Sequence, residues 1–267
     1  MKVSLVQMNT QNDKAENLKV AADLIEKAVK ADNPDLVVLP EYFAFLGDNP
    51  QEMHESGEEF PGGEIYTLLS GLAKKHAITL HAGSIVEKEG NRFYNSTLVF
   101  GPDGKQIARY RKIHLFDVDT PNGISYRESD SVARGEEVVT YKVGDKTVGC
   151  GICYDIRFPE LFRALRDKGA DVIVLPAAFT LMTGKDHWEV LARARAVETQ
   201  TYFLAVGQIG THASGKKACW GHSMVIDPWG HIVAQCSDTV GTAGAALDFD
   251  YSTKVRANVP VANHHVL

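Results

Sequence analysis

Three polar residues of the sequence each follow an apolar run that predicts a β-strand. Glu41 comes directly after the run Leu36–Pro40. Cys153 ends the run that begins at Thr147, and Lys112 ends the second strand of a predicted hairpin. Ligands of α/β sheets usually bind beyond the ends of the strands. A carboxylate, a thiol and an ammonium group therefore lie where such proteins place their chemistry.

Together these side chains supply the parts of an acyl-transfer site. A thiolate is a strong nucleophile, but a free thiol with a pKa of about 8.5 is mostly protonated at neutral pH. The Glu41 carboxylate can take the proton of Cys153. The Lys112 ammonium can stabilise the negative charge that forms on the attacked carbonyl oxygen. The backbone N–H of Tyr154, directly after the cysteine, is expected to be a second donor to that oxygen.

Each of the three residues also has a purely structural interpretation. Glu41 could cap a helix, Lys112 could be a solvated strand end, and Cys153 could be a thiol of the core. For any one residue taken singly, the structural interpretation is favoured. The prediction of acyl-transfer chemistry therefore depends on the three side chains occurring together.

Cys150 and Cys153 form a C-x-x-C motif, which is typical of zinc sites and of thiol-redox sites. Zinc is not favoured because no second pair matches it, since Cys219 and Cys236 are seventeen residues apart. Residues three apart on a strand point to opposite faces, so the two sulfur atoms of the motif should diverge. A thiol-redox module stays an alternative, which a reversible disulfide between the two cysteines would support.

The elements that must position these residues occur in the same order twice along the chain. The order is strand, helix, strand, helix, strand and hairpin. In the first half the elements are Val3–Met8, Asn17–Lys30, Asp35–Pro40, Gly63–His76, Ile78–Val86 and the hairpin strands Asn95–Phe100 and Gln106–Arg111. In the second half they are Thr147–Cys153, Pro159–Lys168, Asp171–Pro176, His187–Glu198, Tyr202–Gln208 and the hairpin strands Ser223–Ile226 and His231–Gln235.

The repeated order predicts an α/β fold. Asp171–Pro176 repeats Asp35–Pro40 almost letter for letter, 136 residues later. Apolar strands that alternate with helices indicate sheets whose helices cover one face. We therefore predict two β-α-β-α-β-β halves whose sheets pack together in a four-layer α-β-β-α sandwich. No linker separates the halves, so residues 1–267 are expected to form a single domain.

Composition and charge argue against several classes of protein. The chain is 44% hydrophobic and 23% charged, with a net charge of -6, so neither disorder nor a basic nucleic-acid-binding domain is expected. Four cysteines are too few for a disulfide scaffold. No apolar run approaches the roughly 18 residues of a membrane helix, and the N-terminus lacks the pattern of a signal peptide. We predict a cytoplasmic protein without nucleic-acid or membrane partners.

At the three candidate residues the sequence resembles the nitrilase superfamily of carbon–nitrogen hydrolases, over essentially the whole chain. The motifs that carry the resemblance are Leu39–Tyr42, Tyr110–Asp117, Tyr126–Ser129 and Gly151–Glu160. The resemblance implies that Glu41 is the general base, Lys112 the catalytic lysine and Cys153 the nucleophile. It also implies that Glu128 orients the lysine and the substrate. An αββα fold, a homodimer or larger homo-oligomer, and chemistry without a metal or organic cofactor are expected.

Two further stretches look most like one part of that superfamily. His187–Gln200 and Gly221–Gly230 resemble the deaminated glutathione amidases, and the ω-amidases share the architecture. The resemblance implies an amidase that converts a small carboxamide to a carboxylate and ammonia. A dicarboxylate monoamide or a deaminated-glutathione-like compound is the expected substrate. Tyr154 and Phe179 are expected to line the pocket, although aromatic residues after strands are more often part of the core.

Two residues are expected at the far end of the substrate. The resemblance implies that Arg157 and Thr183 contact a carboxylate of the substrate. For Arg157, a structural ion pair with Asp155 or Glu160 is an equally good interpretation. Other functions also stay open: a nitrilase or an N-carbamoyl amino acid hydrolase would use the same three residues. A catalytically silent scaffold is not favoured, because it would have no use for intact Glu41, Lys112 and Cys153.

Overall fold

The computed structural model describes residues 1–119, 125–212, 214–215 and 217–266. The strands are β1 (Lys2–Gln7), β2 (Leu36–Val38), β3 (Thr79–His81), β4 (Ile85–Glu89), β5 (Arg92–Phe100), β6 (Gln106–Arg111), β7 (Asp117–Asp119), β8 (Ser125–Arg127), β9 (Thr140–Val143), β10 (Lys146–Cys150), β11 (Val172–Ala177), β12 (Tyr202–Gly207), β13 (Ile209–His212), β14 (Lys217–Trp220), β15 (Met224–Ile226), β16 (Ile232–Gln235) and β17 (Gly241–Ala246). The helices are α1 (Lys14–Asp32), α2 (Pro50–Glu55), α3 (Gly63–His76), α4 (Pro159–Asp167), α5 (Leu181–Thr183), α6 (Glu189–Thr199) and α7 (Phe249–Asn258).

Two large sheets carry the repeated order. In the first, the strands follow the order β17-β1-β2-β3-β5-β4, with β6 paired to the other edge of β5. In the second, the order is β16-β15-β12-β11-β10-β9. The central strands β1 to β3 and β10 to β12 are parallel, and each set continues into an antiparallel hairpin. The predicted α/β class and its repeated order are confirmed.

The side chains of a central strand show how the layers stack. Leu36 and Val38 of β2 pack in one cluster with Val148 and Cys150 of β10, between the two sheets. Val37, on the opposite face of β2, packs with apolar residues of α1 and α3. Helices α4 and α6 contact β10 and β12 of the second sheet. The order of layers is therefore helix, sheet, sheet and helix, in agreement with the predicted sandwich.

The predicted strand Ile78–Val86 is two strands, with a break at Gly83. Gly83 has φ 52°, and a Cβ atom there would lie 1.9 Å from the carbonyl oxygen of Pro40. Only glycine permits that approach, because any side chain would collide with the backbone. The Ser84 N–H donates to the same Pro40 carbonyl at 3.3 Å. The break therefore fixes the end of β2, where Glu41 follows.

The helix predicted to start at His187 starts earlier, at Leu181, and passes through the π-helical turn Gly184–Trp188. Glycine usually weakens a helix. Gly184 nevertheless lies inside this one, because the Trp220 side chain packs where a Cβ atom would lie. The predicted strand Thr147–Cys153 ends at Cys150. Within the described part of the chain, no helix has the length and apolar character needed to cross a membrane.

Candidate active site

The candidate nucleophile lies in a tight turn directly beyond β10. Cys153 has φ 46°, a left-handed conformation that costs a residue with a side chain about 1 kcal/mol or more. It begins the short 3₁₀ helix Cys153–Arg157. The first N–H groups of a helix have no acceptor within the helix. The backbone N–H of Tyr154, in the first turn of this helix, therefore has no acceptor within the helix.

Asp155 joins this turn to the lysine-bearing segment. It is fully buried, and its Oδ2 accepts from the Ile152 N–H at 2.8 Å and from the Tyr110 hydroxyl at 2.6 Å. Its Oδ1 accepts from the His114 N–H at 3.0 Å and lies 2.7 Å from His114 Nδ1. These contacts flank Lys112 on both sides. Asp155 thus fixes the lysine and the nucleophile relative to each other.

One buried ammonium group joins the two predicted glutamates. Lys112 Nζ lies 3.3 Å from Glu41 Oε1 and 2.8 Å from Glu128 Oε2. Lys112 is 2% exposed and Glu41 is 2% exposed, so water does little to screen these charges. Cys153 lines one cavity together with Lys112 and both glutamates. The structure therefore brings together all four predicted catalytic residues.

Backbone groups and one amide complete the hydrogen bonds of the two carboxylates. The Ala178 N–H donates to Glu41 Oε2 at 2.6 Å, and the Phe116 N–H donates to Glu128 Oε2 at 2.7 Å. Asn95 Nδ2 donates to Glu41 Oε1 at 2.8 Å and to Glu128 Oε1 at 3.2 Å. Both carboxylates are thereby held in fixed orientations around Lys112.

Burial and charge act in opposite directions on Lys112. Burial alone would lower the pKa of the ammonium, but the carboxylates of Glu128 and Glu41 outweigh it and raise that pKa well above its ordinary value. Lys112 is therefore a fixed cation. Burial raises the pKa of the Cys153 thiol well above its ordinary value, and Glu41 adds to this effect while Lys112 opposes it. The resting cysteine is a thiol, in the same cavity as a carboxylate that can take its proton.

The cluster lies at the wall of a cavity of about 450 Å³. The four catalytic candidates line it together with three of the predicted substrate-binding residues, Tyr154, Phe179 and Thr183. The Thr183 hydroxyl is 2.7 Å from the hydroxyl of Thr180. The aromatic wall continues through Phe116, whose ring meets that of Tyr154 edge to face. The cavity thus has a reactive end and a largely apolar wall.

Arg157 is the predicted site residue that is absent from the described lining of this cavity. Its guanidinium lies 5.9 Å from the centroid of the Tyr154 ring and 5.5 Å from that of Phe179. Its Nη2 is 3.2 Å from His187 Nδ1. The alternative interpretation, an ion pair of Arg157 with Asp155 or Glu160, is not seen in the described part of the chain. Asp155 instead accepts hydrogen bonds from Tyr110 and His114. Arg157 supports the aromatic wall from its outer side.

The C-x-x-C cysteines face different surroundings. Cys150 is fully buried among the apolar side chains between the sheets, and burial raises its pKa well above the ordinary value. Cys153 lines the cavity, and neither cysteine is in a disulfide. The described residues contain no group of three or more His, Cys, Asp or Glu side chains that could hold a metal ion. The surroundings of Cys153 suit nucleophilic chemistry better than a dithiol pair.

Asn95 was not singled out by the sequence analysis. It lies in the middle of β5, and its side chain is fully buried. Its backbone oxygen accepts from the backbone N–H of Lys112 at 2.9 Å, so Asn95 contacts the backbone of the lysine as well as the two carboxylates. The available signal was a polar side chain inside an apolar strand, since buried polar groups are usually hydrogen-bonded.

The comparison with protein families decides what this cluster belongs to. The sequence profile named carbon-nitrogen hydrolase matches residues 2–257, nearly the whole chain. The chain belongs to the carbon–nitrogen hydrolase family. It is therefore an enzyme that hydrolyses carbon–nitrogen bonds, and the resemblance to the nitrilase superfamily is confirmed.

Two named amidases and one solved structure are similar to this chain over nearly its whole length. A deaminated glutathione amidase of Synechocystis is 40% identical, with 98% of this chain and 96% of that protein covered. Omega-amidase NIT2-B of Xenopus laevis is 38% identical, with 97% and 93% covered. The crystal structure of Saccharomyces cerevisiae Nit3, a member of branch 10 of the nitrilase superfamily, has 35% identity and a TM-score of 0.88, with 98% and 94% covered.

Proposed function

We propose that the protein is a cysteine amidase that releases ammonia from a small carboxamide through a thioester. The observation that carries the proposal is one cavity wall that contains the Cys153 thiol, the Glu41 carboxylate and the Lys112 ammonium, with Glu41 Oε1 3.3 Å from Lys112 Nζ. A nucleophile, a proton acceptor and a fixed cation at one cavity wall are what acyl transfer needs. The names of the relatives support the amide as the bond that is hydrolysed.

In the first half of the reaction, Glu41 takes the thiol proton as the sulfur of Cys153 attacks the amide carbon. The carbonyl oxygen becomes an oxyanion, which the Lys112 ammonium and the Tyr154 N–H stabilise. Glu41 then gives its proton to the amide nitrogen, the carbon–nitrogen bond breaks and ammonia leaves. The acyl group stays on the sulfur as a thioester.

In the second half, water replaces ammonia beside Glu41. The carboxylate takes a proton from this water as its oxygen attacks the thioester carbon. The same two donors stabilise the second oxyanion. The carbon–sulfur bond breaks, the proton returns to sulfur and the carboxylate product leaves. Glu128 does not need to move a proton, because its two oxygens hold Lys112 and the Phe116 N–H.

We further propose that the substrate carries a carboxylate away from its amide, as in a dicarboxylate monoamide or a deaminated-glutathione-like compound. The relatives' names support this class, and a cavity of about 450 Å³ has room for more than a simple amide. Tyr154, Phe179 and Thr183 are the wall that the acyl chain would contact. Nitriles and N-carbamoyl amino acids are the alternative substrates.

A homodimer is part of the proposal. Large apolar side chains are exposed along α5 and α6 and on the turn beside them: Leu181, Met182, Val190, Val197 and Trp229. Arg193 of α6 donates to the carbonyl of Gly230 at 2.8 Å, so the turn and the helix form one continuous face. A second copy of the chain would cover this apolar face. Sedimentation at several protein concentrations tests it, and a monomer at all of them would contradict it.

The decisive experiment measures product release from a panel of four substrate classes. The measured quantity is kcat/KM for the release of ammonia. It is compared among dicarboxylate monoamides, neutral amides, nitriles and N-carbamoyl amino acids. Acid quench followed by mass spectrometry should then show the acyl group on the peptide that contains Cys153. Ammonia release without any acyl-enzyme, or an acyl group on another cysteine, would overturn the mechanism. Faster turnover of nitriles than amides would overturn the proposed reaction class.

A further inference from the structure

A second cavity, of about 420 Å³, lies beside strands β5 and β6. Its described lining and that of the active-site cavity have no residue in common. Six charged side chains line it, four of them guanidinium groups: Arg92, Arg109, Arg111, Arg134, Glu136 and Glu137. Four arginines around one cavity are more than the fold needs, so their partners indicate whether the cavity can bind a ligand.

The second cavity and the catalytic cluster lie on opposite faces of the same strands. Side chains alternate between the two faces of a strand. Asn95 of β5 binds the two catalytic carboxylates, so its neighbour Tyr94 points to the other face. There the guanidinium of Arg111 lies 3.7 Å from the centroid of the Tyr94 ring. Since Arg111 directly precedes Lys112, the second cavity lies behind the catalytic lysine.

One buried carboxylate fixes two of the four guanidinium groups. Glu87 is 1% exposed, and its Oε1 accepts from Arg109 Nη1 at 2.7 Å and from Arg111 Nη2 at 2.6 Å. Its Oε2 accepts from Arg111 Nε at 2.9 Å and from the Ser96 hydroxyl at 2.6 Å. The two guanidinium groups are therefore held next to each other before any ligand binds.

The arginines keep N–H donors that no described residue accepts. A guanidinium has five such donors. Arg111 uses Nε and Nη2, the latter also for Glu89 at 2.7 Å, and Arg109 uses only Nη1. Arg92 and Arg134 are exposed, and within the described part of the chain neither has a hydrogen bond or an ion pair. Free guanidinium donors of this kind suit the oxygens of a carboxylate or a phosphate.

We propose that this cavity is a second binding site, for a small molecule with an anionic head group that is a carboxylate or a phosphate. The head group lies against the fixed guanidinium groups of Arg109 and Arg111, and the two unpaired arginines close around it. The two glutamates of the lining are exposed and repel an extended polyanion, so the ligand is small. The proposal does not depend on the amidase function.

The segment that forms one wall of this cavity is also bonded to the strand that ends at the catalytic lysine. The Gly135 N–H donates to the backbone oxygen of Lys112 at 2.7 Å. A Cβ atom at Gly135 would lie 2.1 Å from the backbone oxygen of Arg111, so only glycine allows this approach. An anion that binds both Arg111 and Arg134 joins this segment to β6. Such a ligand binds the folded protein alone and raises its melting temperature.

The test is a calorimetric titration of the unmodified enzyme with inorganic phosphate and, separately, with malonate. One anion per chain is expected to bind, and the melting temperature should rise with its concentration. The tighter of the two complexes identifies the head group as a phosphate or a carboxylate. The same titration after alkylation of Cys153 with iodoacetamide should give the same affinity, because the active-site cavity is separate.

Two variants change the charge at the cavity in opposite directions. Arg134→Gln removes an unpaired cation and should weaken binding by about tenfold, as loss of a charge-assisted hydrogen bond does. Adding Arg92→Gln should weaken it further. Glu136→Gln removes a negative charge from the same lining and should tighten binding, which a mere disturbance of the structure would not do. Arg163→Gln, exposed on α4, is the matched control and should leave the affinity unchanged.

Three results overturn the proposal. The first is the absence of saturable binding of both anions. The second is equal affinity in the unmodified enzyme and in the double variant of Arg92 and Arg134. The third is binding that disappears when Cys153 is alkylated, which would place the anion in the active-site cavity. Circular dichroism confirms that each variant is folded. No reaction is measured, so a failure of the amidase proposal leaves these outcomes unchanged.

Discussion

The two halves of the chain build the same sheet but contribute different chemistry. Strands β1, β2, β3, β5 and β6 of the first half correspond in order and direction to β10, β11, β12, β15 and β16 of the second. Even the hairpins shift register at the same place, at Val99/Phe100 and at Val225/Ile226. Yet Leu39–Pro40–Glu41 aligns with Leu175–Pro176–Ala177, so the base has no counterpart.

The same asymmetry holds for the other two proposed catalytic residues. The strand registers align Cys153 with Met8, which is 1% exposed and packs under α1. They align Lys112 with Asp238, which is exposed and lies 3.2 Å from His222. The interior pattern that makes a sheet is therefore repeated, while the residues just beyond the strand ends are free to differ. Stacking the two sheets brings the two unlike ends together.

Removing the nucleophile is the largest perturbation of this asymmetry. Cys153→Ala should abolish ammonia release, with a loss of about 10⁴-fold or more, because no other group can form the thioester. Thermal melting should show a folded protein. Cys150→Ala is the matched control, since Cys150 lies three residues away in the core between the sheets. A dead Cys150→Ala with an active Cys153→Ala would reverse the assignment.

The comparison also shows which part of the molecule the sequence could predict. Residues inside strands are constrained by burial on both faces, so their apolar runs are visible, as in Val37–Leu39 and Val172–Leu175. Edge strands such as β9 and β17 are partly exposed and mix polar with small residues, as in Gly241–Ala246. They carry no such signal, and the sequence analysis missed them.

For the site, residue types and strand ends were enough to select Glu41, Lys112 and Cys153 as candidates, and these three residues line one cavity. The partners that orient them were not predicted, because contacts such as Ala178 N–H to Glu41 join segments 137 residues apart. The one signal for Asn95, a polar side chain inside an apolar strand, does not say which residues it contacts. Contacts across the sandwich depend on how the two sheets are stacked, which local patterns do not determine.

Removing the cation is expected to have the next largest effect. Lys112→Ala should lower kcat by about 10²–10³-fold, as loss of one oxyanion donor typically does. It also leaves Glu41 and Glu128 without their shared countercharge, so the melting temperature should fall. Lys112→Arg should recover little, because a planar guanidinium does not replace a point donor. Lys105→Ala, exposed on the same hairpin, is the control. Near-normal kcat in Lys112→Ala would make Lys112 a structural residue.

Asn95 tests whether the two carboxylates must be oriented by a neutral donor. Asn95→Ala removes one hydrogen bond from each carboxylate, so their orientation around Lys112 is less well fixed. We therefore expect kcat to fall by about tenfold. Asn95→Ser, which keeps a donor, should lose less activity. Asn91→Ala, on the exposed turn before β5, is the control, and an unchanged kcat in Asn95→Ala would reduce Asn95 to a packing role.

The smallest effect on turnover is expected at a position where the first half is polar and the second is not. His81 of β3 aligns with Leu204 of β12, because Val38 pairs with His81 and Val174 with Leu204. His81 is fully buried, and its Nδ1 lies 3.0 Å from the Tyr141 hydroxyl. Burial lowers the pKa of His81 to about 3. The folded protein therefore keeps this ring neutral where the unfolded chain would protonate it.

That difference gives His81 a predictable pH signature. Between about pH 6.5 and pH 3 the unfolded chain binds a proton that the folded protein does not, so His81 lowers stability as the pH falls through this window. Replacing both partners, in His81→Leu with Tyr141→Phe, copies the apolar second half without leaving an unpaired group. Between pH 7 and pH 5, the free energy of unfolding of Tyr141→Phe should therefore fall by about 2 kcal/mol more than that of the double variant. Denaturant titrations at the two pH values measure this difference. Parallel changes in the two variants would mean that His81 is protonated in the folded protein, and that the first half tolerates a buried charge at a position where the second half has leucine.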